Sequence, residues 1–185
     1  MDVMEAGLTA EQREREAREA VAVRARGTGA TGRDLRSYLR FLEEQYPDQI
    51  YHVTREVDPH FEVTALLAKL EQQRRFPVVV FDRVKGSSMP VVTNVHASFQ
   101  RLAMALGLPP TATVREFTRE YAYREDHPIP PEIVDTGPVK EVIWTGAEAD
   151  LTRLPIPTHN ALDGGPYLTG ASLVARDPHT GVLNV

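Results

Sequence analysis

Four prolines fall within the twelve residues HPIPPEIVDTGP, 127–138. Proline lacks the amide donor that a helix interior or a sheet ladder needs, and the residue before it avoids helical backbone. Neither a helix nor an interior strand can run through this stretch. It therefore divides the chain, and we place a domain boundary or a crossing linker there.

Upstream, apolar residues recur first at helical and then at strand spacing. In DLRSYLRFLEEQYP, Leu35, Tyr38, Leu39 and Leu42 share one helical face and Pro47 follows the helix. IYHVTREV sets Tyr51, Val53 and Val57 against polar neighbours, which predicts a half-buried strand. DPHFEVTALLAKLEQQ offers Asp58 as N-cap, Pro59 as first helical residue, and an apolar stripe of Val63, Leu66, Leu67 and Leu70. PVVVFDRV is short and apolar enough for a buried strand, and KGSS would turn it into a partner strand in MPVVTNV. ASFQRLAMALGL predicts a helix stopped by Gly107, and TATVREFTREYAYRED a second one. The order helix, strand, helix, strand, strand, helix, helix predicts an α/β (α+β) module over 33–137.

Residues 1–32 differ in character. Thr9 and Gln12 have capping-box spacing before the mixed-charge run REREAREA, and GTGATG reads as a linker. The segment reads as a flexible or helical extension, with a partner-binding helix as the functional alternative. Downstream of the prolines, VKEVIWTG and YLTGASLVARD predict strands, and ADLTRLPIP a short turn or helix. DPHTG predicts a turn whose return strand is VLNV. Residues 138–185 thus look like the beginning of a β-rich second domain.

Composition removes several function classes. Net charge is −5 with a pI near 5.7, so there is no basic surplus for a nucleic-acid partner. Cysteine is absent, which excludes disulfides, thiolate metal sites and a cysteine nucleophile. No apolar run approaches the roughly 20 residues of a membrane span, and the charged N-terminus lacks the apolar core of a secretory signal. A cytoplasmic protein is expected.

Motif chemistry is sparse. The chain holds no dinucleotide-binding glycine motif, phosphate loop, nucleophile elbow or H-E-x-x-H. Its six histidines stand at 52, 60, 96, 127, 159 and 179, and no two have metal-ligand spacing. His159 and Asp163 are four apart, but Pro155, Pro157 and the following glycines argue against a helical pair. In DGGPY, Asp163 can cap a turn through nearby amides, and Gly164 and Gly165 permit close approach of backbone or ligand. A tight turn before a strand and part of a ligand site both fit. Thr169 lies two residues past Tyr167, so a strand would put both on one side. Asn184 sits in the apolar context GVLNV. It would either satisfy a structural hydrogen bond or offer a carbonyl oxygen to a hard cation such as Mn²⁺ or Mg²⁺, and spacing leaves both open.

Taken together, DLRSYLRFLE, EVDPHFEVTALLAKLE, PVVVFDRVKGSSMPVVTNVHAS and DLTRLPIPTHNALDGGPYLTGASLVARDPHTGVLN resemble the N-terminal part of UbiD-type decarboxylases, in the family's order over 33–185. The most specific feature is D-G-G-P-Y followed by D-P-x-T-G and an Asn at this spacing. The resemblance implies reversible, non-oxidative decarboxylation of an aromatic or α,β-unsaturated carboxylic acid. It implies prenylated FMN, made by a separate flavin prenyltransferase, with its phosphate held through Mn²⁺ and K⁺ often nearby. It also implies an N-terminal α/β domain, a flavin-binding split β-barrel of which only the first strands are present here, and a homo-oligomer.

Residue by residue, Asn184 matches the metal-ligand Asn after the D-P-x-T-G turn, Thr169 a strand position near the flavin, and Asp163, Gly164 and Gly165 the supporting turn. The family's other metal ligands and its catalytic carboxylates are expected beyond Val185, so no catalytic residue is assigned within 1–185. This stretch alone is expected to be inactive, its partner being the remainder of the enzyme or a second polypeptide. The alternative is a non-catalytic accessory subunit or interaction module that pairs with a chain carrying the rest of the barrel.

Overall fold

The computed structural model describes residues 34–130 and 132–184. The helix expected after Thr9 lies outside them. The chain divides into two compact units, Met1–Tyr51 with Asn94–Asp135 and His52–Thr93 with Thr136–Val185.

In the first unit, helix α1 spans Leu35–Gln45. It starts where the Asp34 carboxylate accepts from the Ser37 amide at 2.8 Å and the Ser37 hydroxyl oxygen accepts from the Asp34 amide at 3.2 Å. This reciprocal cap satisfies two amides that the helix leaves over. Of the expected apolar face, Leu42 is fully buried while Leu35 stays half-exposed. A 3₁₀ turn at Pro47–Gln49 leads into strand β1, Ile50–Val57.

Helix α3 spans Phe99–Ala105, and its end is set by Gly107 at φ 75°. The Leu108 amide bonds back to the Ala103 carbonyl and the Gly107 amide to the Met104 carbonyl, both at 2.9 Å. Only the left-handed backbone of Gly107 lets both bonds form. Helix α4, Val114–Asp126, opens on a capping box between Thr113 and Glu116. Phe99 of α3 and Phe117 of α4 meet at 5.4 Å between ring centroids, which joins the two helices.

The second unit holds a three-stranded sheet in the order β1-β2-β3, with β2 at Val78–Val84 and β3 at Val91–Thr93. β2 and β3 run antiparallel, pairing Val79 with Thr93 and Phe81 with Val91, as the KGSS turn predicts. Helix α2, Glu62–Gln72, lies between β1 and β2 in the chain. Val53, Val57, Val63, Val79, Phe81 and Val84 form the core, and Leu66, Leu67 and Leu70 of the predicted stripe pack against it. Tyr51 is half-exposed, unlike the other apolar residues of its strand.

Two sequence expectations are corrected here. Helix α2 begins three residues later than Asp58 and Pro59 suggest. The Thr158 amide donates to the Pro59 carbonyl at 3.1 Å, and the Phe61 amide to the Thr158 carbonyl at 3.0 Å. That pairing keeps 59–61 out of the helix, and Asp58 caps a turn by accepting from the His60 amide at 2.9 Å. VKEVIWTG forms no strand: a 3₁₀ turn occupies Pro138–Lys140, and Val139 is 89% exposed. Alternating apolar residues become a strand only beside a partner that takes up their backbone groups, and none lies alongside among the described residues. The short turn or helix expected in ADLTRLPIP is the 3₁₀ turn Leu151–Arg153, capped by Asp150. No helix among the described residues is long and apolar enough to cross a membrane.

Candidate functional site

The segment with candidate ligands runs from Pro157 to Asn184. At its far end, strands β4, Ala175–Arg176, and β5, Leu183–Asn184, pair antiparallel with Ala175 opposite Asn184. The DPHTG turn joins them as expected. Asp177 Oδ1 accepts from the Thr180 amide at 2.7 Å and the His179 amide at 2.8 Å. These two amides, the Thr180 bond first, hold the Asp177 carboxyl below its ordinary range. Gly181 takes φ 71° and its amide returns to the Asp177 carbonyl at 2.9 Å. A side chain there would meet open space, so its cost is the left-handed backbone alone.

The hairpin leaves Asn184 exposed. The apolar context of the sequence suggests burial, but the packing that would bury it does not come from the described residues. A carboxamide oxygen is a hard donor of the kind that divalent cations take.

Thr169 is also exposed, and it stands in a turn with Gly170 rather than on a strand. The expected shared strand face of Tyr167 and Thr169 therefore does not form. In YLTGASLVARD only Ala175 and Arg176 pair, because among the described residues only Leu183 and Asn184 lie opposite.

The supporting turn is well ordered by its own bonds. Asp163 Oδ2 accepts from the Asn160 amide at 2.7 Å, and the Asp163 amide donates to the Asn160 carbonyl at 3.2 Å. Its carboxylate thus caps the turn, as the sequence predicts. His159 does not act with it. The imidazole Nε2 lies 3.1 Å from the Tyr167 carbonyl and Nδ1 3.2 Å from the Thr64 hydroxyl. Sequence spacing gives no signal for a contact between His159 and Thr64 at a separation of 95 residues.

The donor set fits a metal-bound flavin only in part. Asn184 would supply one hard oxygen donor. Among the described residues no three His, Cys, Asp or Glu side chains cluster to hold an ion. A divalent ion needs about four to eight donors, so residues of this segment can contribute to such a site but cannot make it. In the first unit, Leu108, Pro109, Ala112, Glu116, Arg119 and Glu120 line a cleft of about 250 Å³. Its acids serve the fold: Glu116 Oε2 accepts from the Thr113 amide at 2.7 Å, and Glu120 Oε1 from Arg124 at 2.8 Å.

Comparison with known proteins matches both parts of the chain. Residues 42–121 match the 3-octaprenyl-4-hydroxybenzoate carboxy-lyase N-terminal domain. Residues 132–185 match the Rift-related domain of the same carboxy-lyase. A phenolic acid decarboxylase from a Streptomyces species is 38% identical over 149 residues, which cover 78% of this chain and 31% of that protein. Two solved enzymes are similar in fold. An evolved dimeric form of the UbiD-class enzyme HmfF from Pelotomaculum thermopropionicum, in complex with prFMN, superposes with TM-score 0.68 at 38% identity, covering 83% of this chain and 34% of its own. The vanillic acid decarboxylase of Sedimentibacter hydroxybenzoicus gives TM-score 0.70 at 34% identity, covering 80% of this chain and 32% of its own. The chain spans about a third of the length of the relatives it matches. With both domain matches in family order and solved relatives of the same fold, the chain belongs to the UbiD family.

Proposed function

We propose that residues 1–185 supply the N-terminal α/β module and the first strands of the flavin-binding split barrel of a UbiD-type carboxy-lyase. Its reaction would be the reversible, non-oxidative decarboxylation of an aromatic or α,β-unsaturated carboxylic acid, in a cytoplasmic homo-oligomer. The observation that supports the reading is the hairpin 175–184, where a tight D-P-x-T-G turn leads to an exposed Asn184, the residue that the family resemblance would make a metal ligand. The identity of 34–38% to relatives described as phenolic acid or vanillic acid decarboxylases supports the substrate class. No observation favours a purely accessory subunit.

Prenylated FMN, when bound, supplies the electron sink for the carbanion-like centre left as carbon dioxide departs. The chain's own share is binding and orientation. Asn184 would offer its carboxamide oxygen to the Mn²⁺ at the flavin phosphate, a hard donor for a hard ion, with K⁺ as a further candidate ion. Thr169 would offer its hydroxyl near the flavin. Asp163 and the paired amides of its turn would keep the approach to Thr169 in shape. Return of a proton to the product needs a carboxylic acid held within hydrogen-bond reach. We assign no residue of 1–185 to that task.

The test is to express the complete enzyme with and without a flavin prenyltransferase and follow carbon dioxide release from aromatic and α,β-unsaturated acids. Activity that depends on the prenyltransferase is expected. An enzyme loaded with prenylated FMN that releases none from any such acid would contradict the reading. Residues 1–185 alone are expected to lose flavin on desalting.

A further inference from the structure

Thr64 is the third residue of α2, and its side chain is part-buried against His159. The tautomer of that imidazole follows from its neighbours. The Tyr167 carbonyl facing Nε2 can only accept, so Nε2 carries the hydrogen and donates to it. Nδ1 of the neutral ring then holds a lone pair and accepts from the Thr64 hydroxyl. The Tyr167 ring adds an edge contact, with centroids 4.7 Å apart.

The histidine is one of three ties at this place. The Tyr167 amide donates to the carbonyl of buried Pro157 at 3.2 Å, which closes 157–167 into a loop. Thr158 pairs with Pro59 and Phe61 in the turn just before α2. Phe61 holds φ 71° there, a left-handed backbone rare for a bulky residue. Such a conformation persists where the surroundings over-determine it, and the Thr158 pairing does that. Thr64 belongs to the stretch matched by the N-terminal domain and His159 to that matched by the Rift-related domain.

We propose that His159 is a positioning residue: by bridging Thr64 on α2 to the Tyr167 backbone, it fixes the start of the segment that carries Thr169. This rests on the flavin-side role proposed for Thr169. The bridge needs an acceptor and a donor on one rigid ring, so alanine at 159 removes both bonds. Valine at 64 removes only the hydroxyl that donates to Nδ1, at nearly constant shape.

The experiment uses the complete enzyme with His159→Ala, Thr64→Val, Thr64→Ser and Tyr167→Phe. Two quantities are read: amide hydrogen exchange at Tyr167 in flavin-free protein, and flavin retained after desalting of protein loaded by the prenyltransferase. His159→Ala and Thr64→Val are expected to speed Tyr167 exchange about fivefold or more and to weaken flavin retention about tenfold, as loss of a ligand's supporting partner does. Thr64→Ser keeps the hydroxyl and Tyr167→Phe the carbonyl, so both are expected to match wild type. Unchanged Tyr167 exchange in both His159→Ala and Thr64→Val would overturn the proposal, as would faster exchange with unchanged flavin retention. If wild-type enzyme retains no flavin, the flavin role of the segment fails, and the exchange result separately decides the bridge.

Discussion

Tyr38 of α1 donates its hydroxyl to the main-chain carbonyl of Arg101 in α3 at 3.1 Å, across 63 residues of sequence. Arg101 is itself 1% exposed. Its guanidinium donates to Gln49 Oε1 at 2.9 Å, to the Asn94 carbonyl at 3.0 Å and to the Val95 carbonyl at 3.3 Å. One buried cation thus ties the 3₁₀ turn between α1 and β1 to the loop before α3 within the first unit.

Removing that hub should be costly. Hydrogen bonds to charged groups contribute about 1.5–3 kcal/mol each, and they do not add. Arg101→Ala is expected to destabilise the first unit by about 3 kcal/mol in a urea titration. Arg101→Lys should recover little, because a single ammonium cannot reach three acceptors set for a planar fork. Wild-type stability in either variant would remove Arg101 from this role.

The start of α4 makes a smaller and cleaner prediction. Thr113 Oγ1 accepts from the Glu116 amide at 3.3 Å, while Glu116 Oε2 accepts from the Thr113 amide at 2.7 Å. Thr113→Ala should cost about 1 kcal/mol and Thr113→Ser almost nothing, since serine caps as well as threonine. Thermal unfolding of the two variants side by side checks this.

How much was legible follows the range of the forces. α4 could be read from sequence because its cap, its Glu116 and its apolar spacing all lie within one helix. The same holds for the DPHTG turn, where Asp177 bonds amides two and three residues on. α2 was misplaced at its start because Pro59 and Phe61 answer to Thr158, about a hundred residues away. VKEVIWTG and most of YLTGASLVARD carry strand patterns, but a pattern states only a capacity to pair. Asn184 could be singled out by its neighbours and by family resemblance. The bridging of Thr64 and Tyr167 by His159 could not, since no local periodicity relates them.

The hairpin should respond to acid with a defined sign. The Asp177 carboxyl is held below its ordinary value by the Thr180 amide first and the His179 amide second. A depressed folded-state pKa gives stability that is fully present above the unfolded value of 3.8 and is lost as pH falls through the folded value. Amide exchange at Thr180 should therefore quicken as pH drops below about 4, after correction for intrinsic rates. In Asp177→Asn that pH dependence should vanish. Asp177 is exposed, so the change will be small, and its direction is the test.

Asn184 is proposed to give this chain a share in a flavin–metal site. The most direct measurement is metal and flavin content per protomer in the complete enzyme carrying Asn184→Ala, purified beside wild type after loading with prenylated FMN and Mn²⁺. Loss of a supporting partner alone weakens metal sites about 10–100-fold, so loss of a ligand should do at least as much. We predict that Asn184→Ala retains its fold, by circular dichroism, and loses both the metal and the flavin on desalting. A variant that keeps wild-type amounts of both would remove Asn184 from that site.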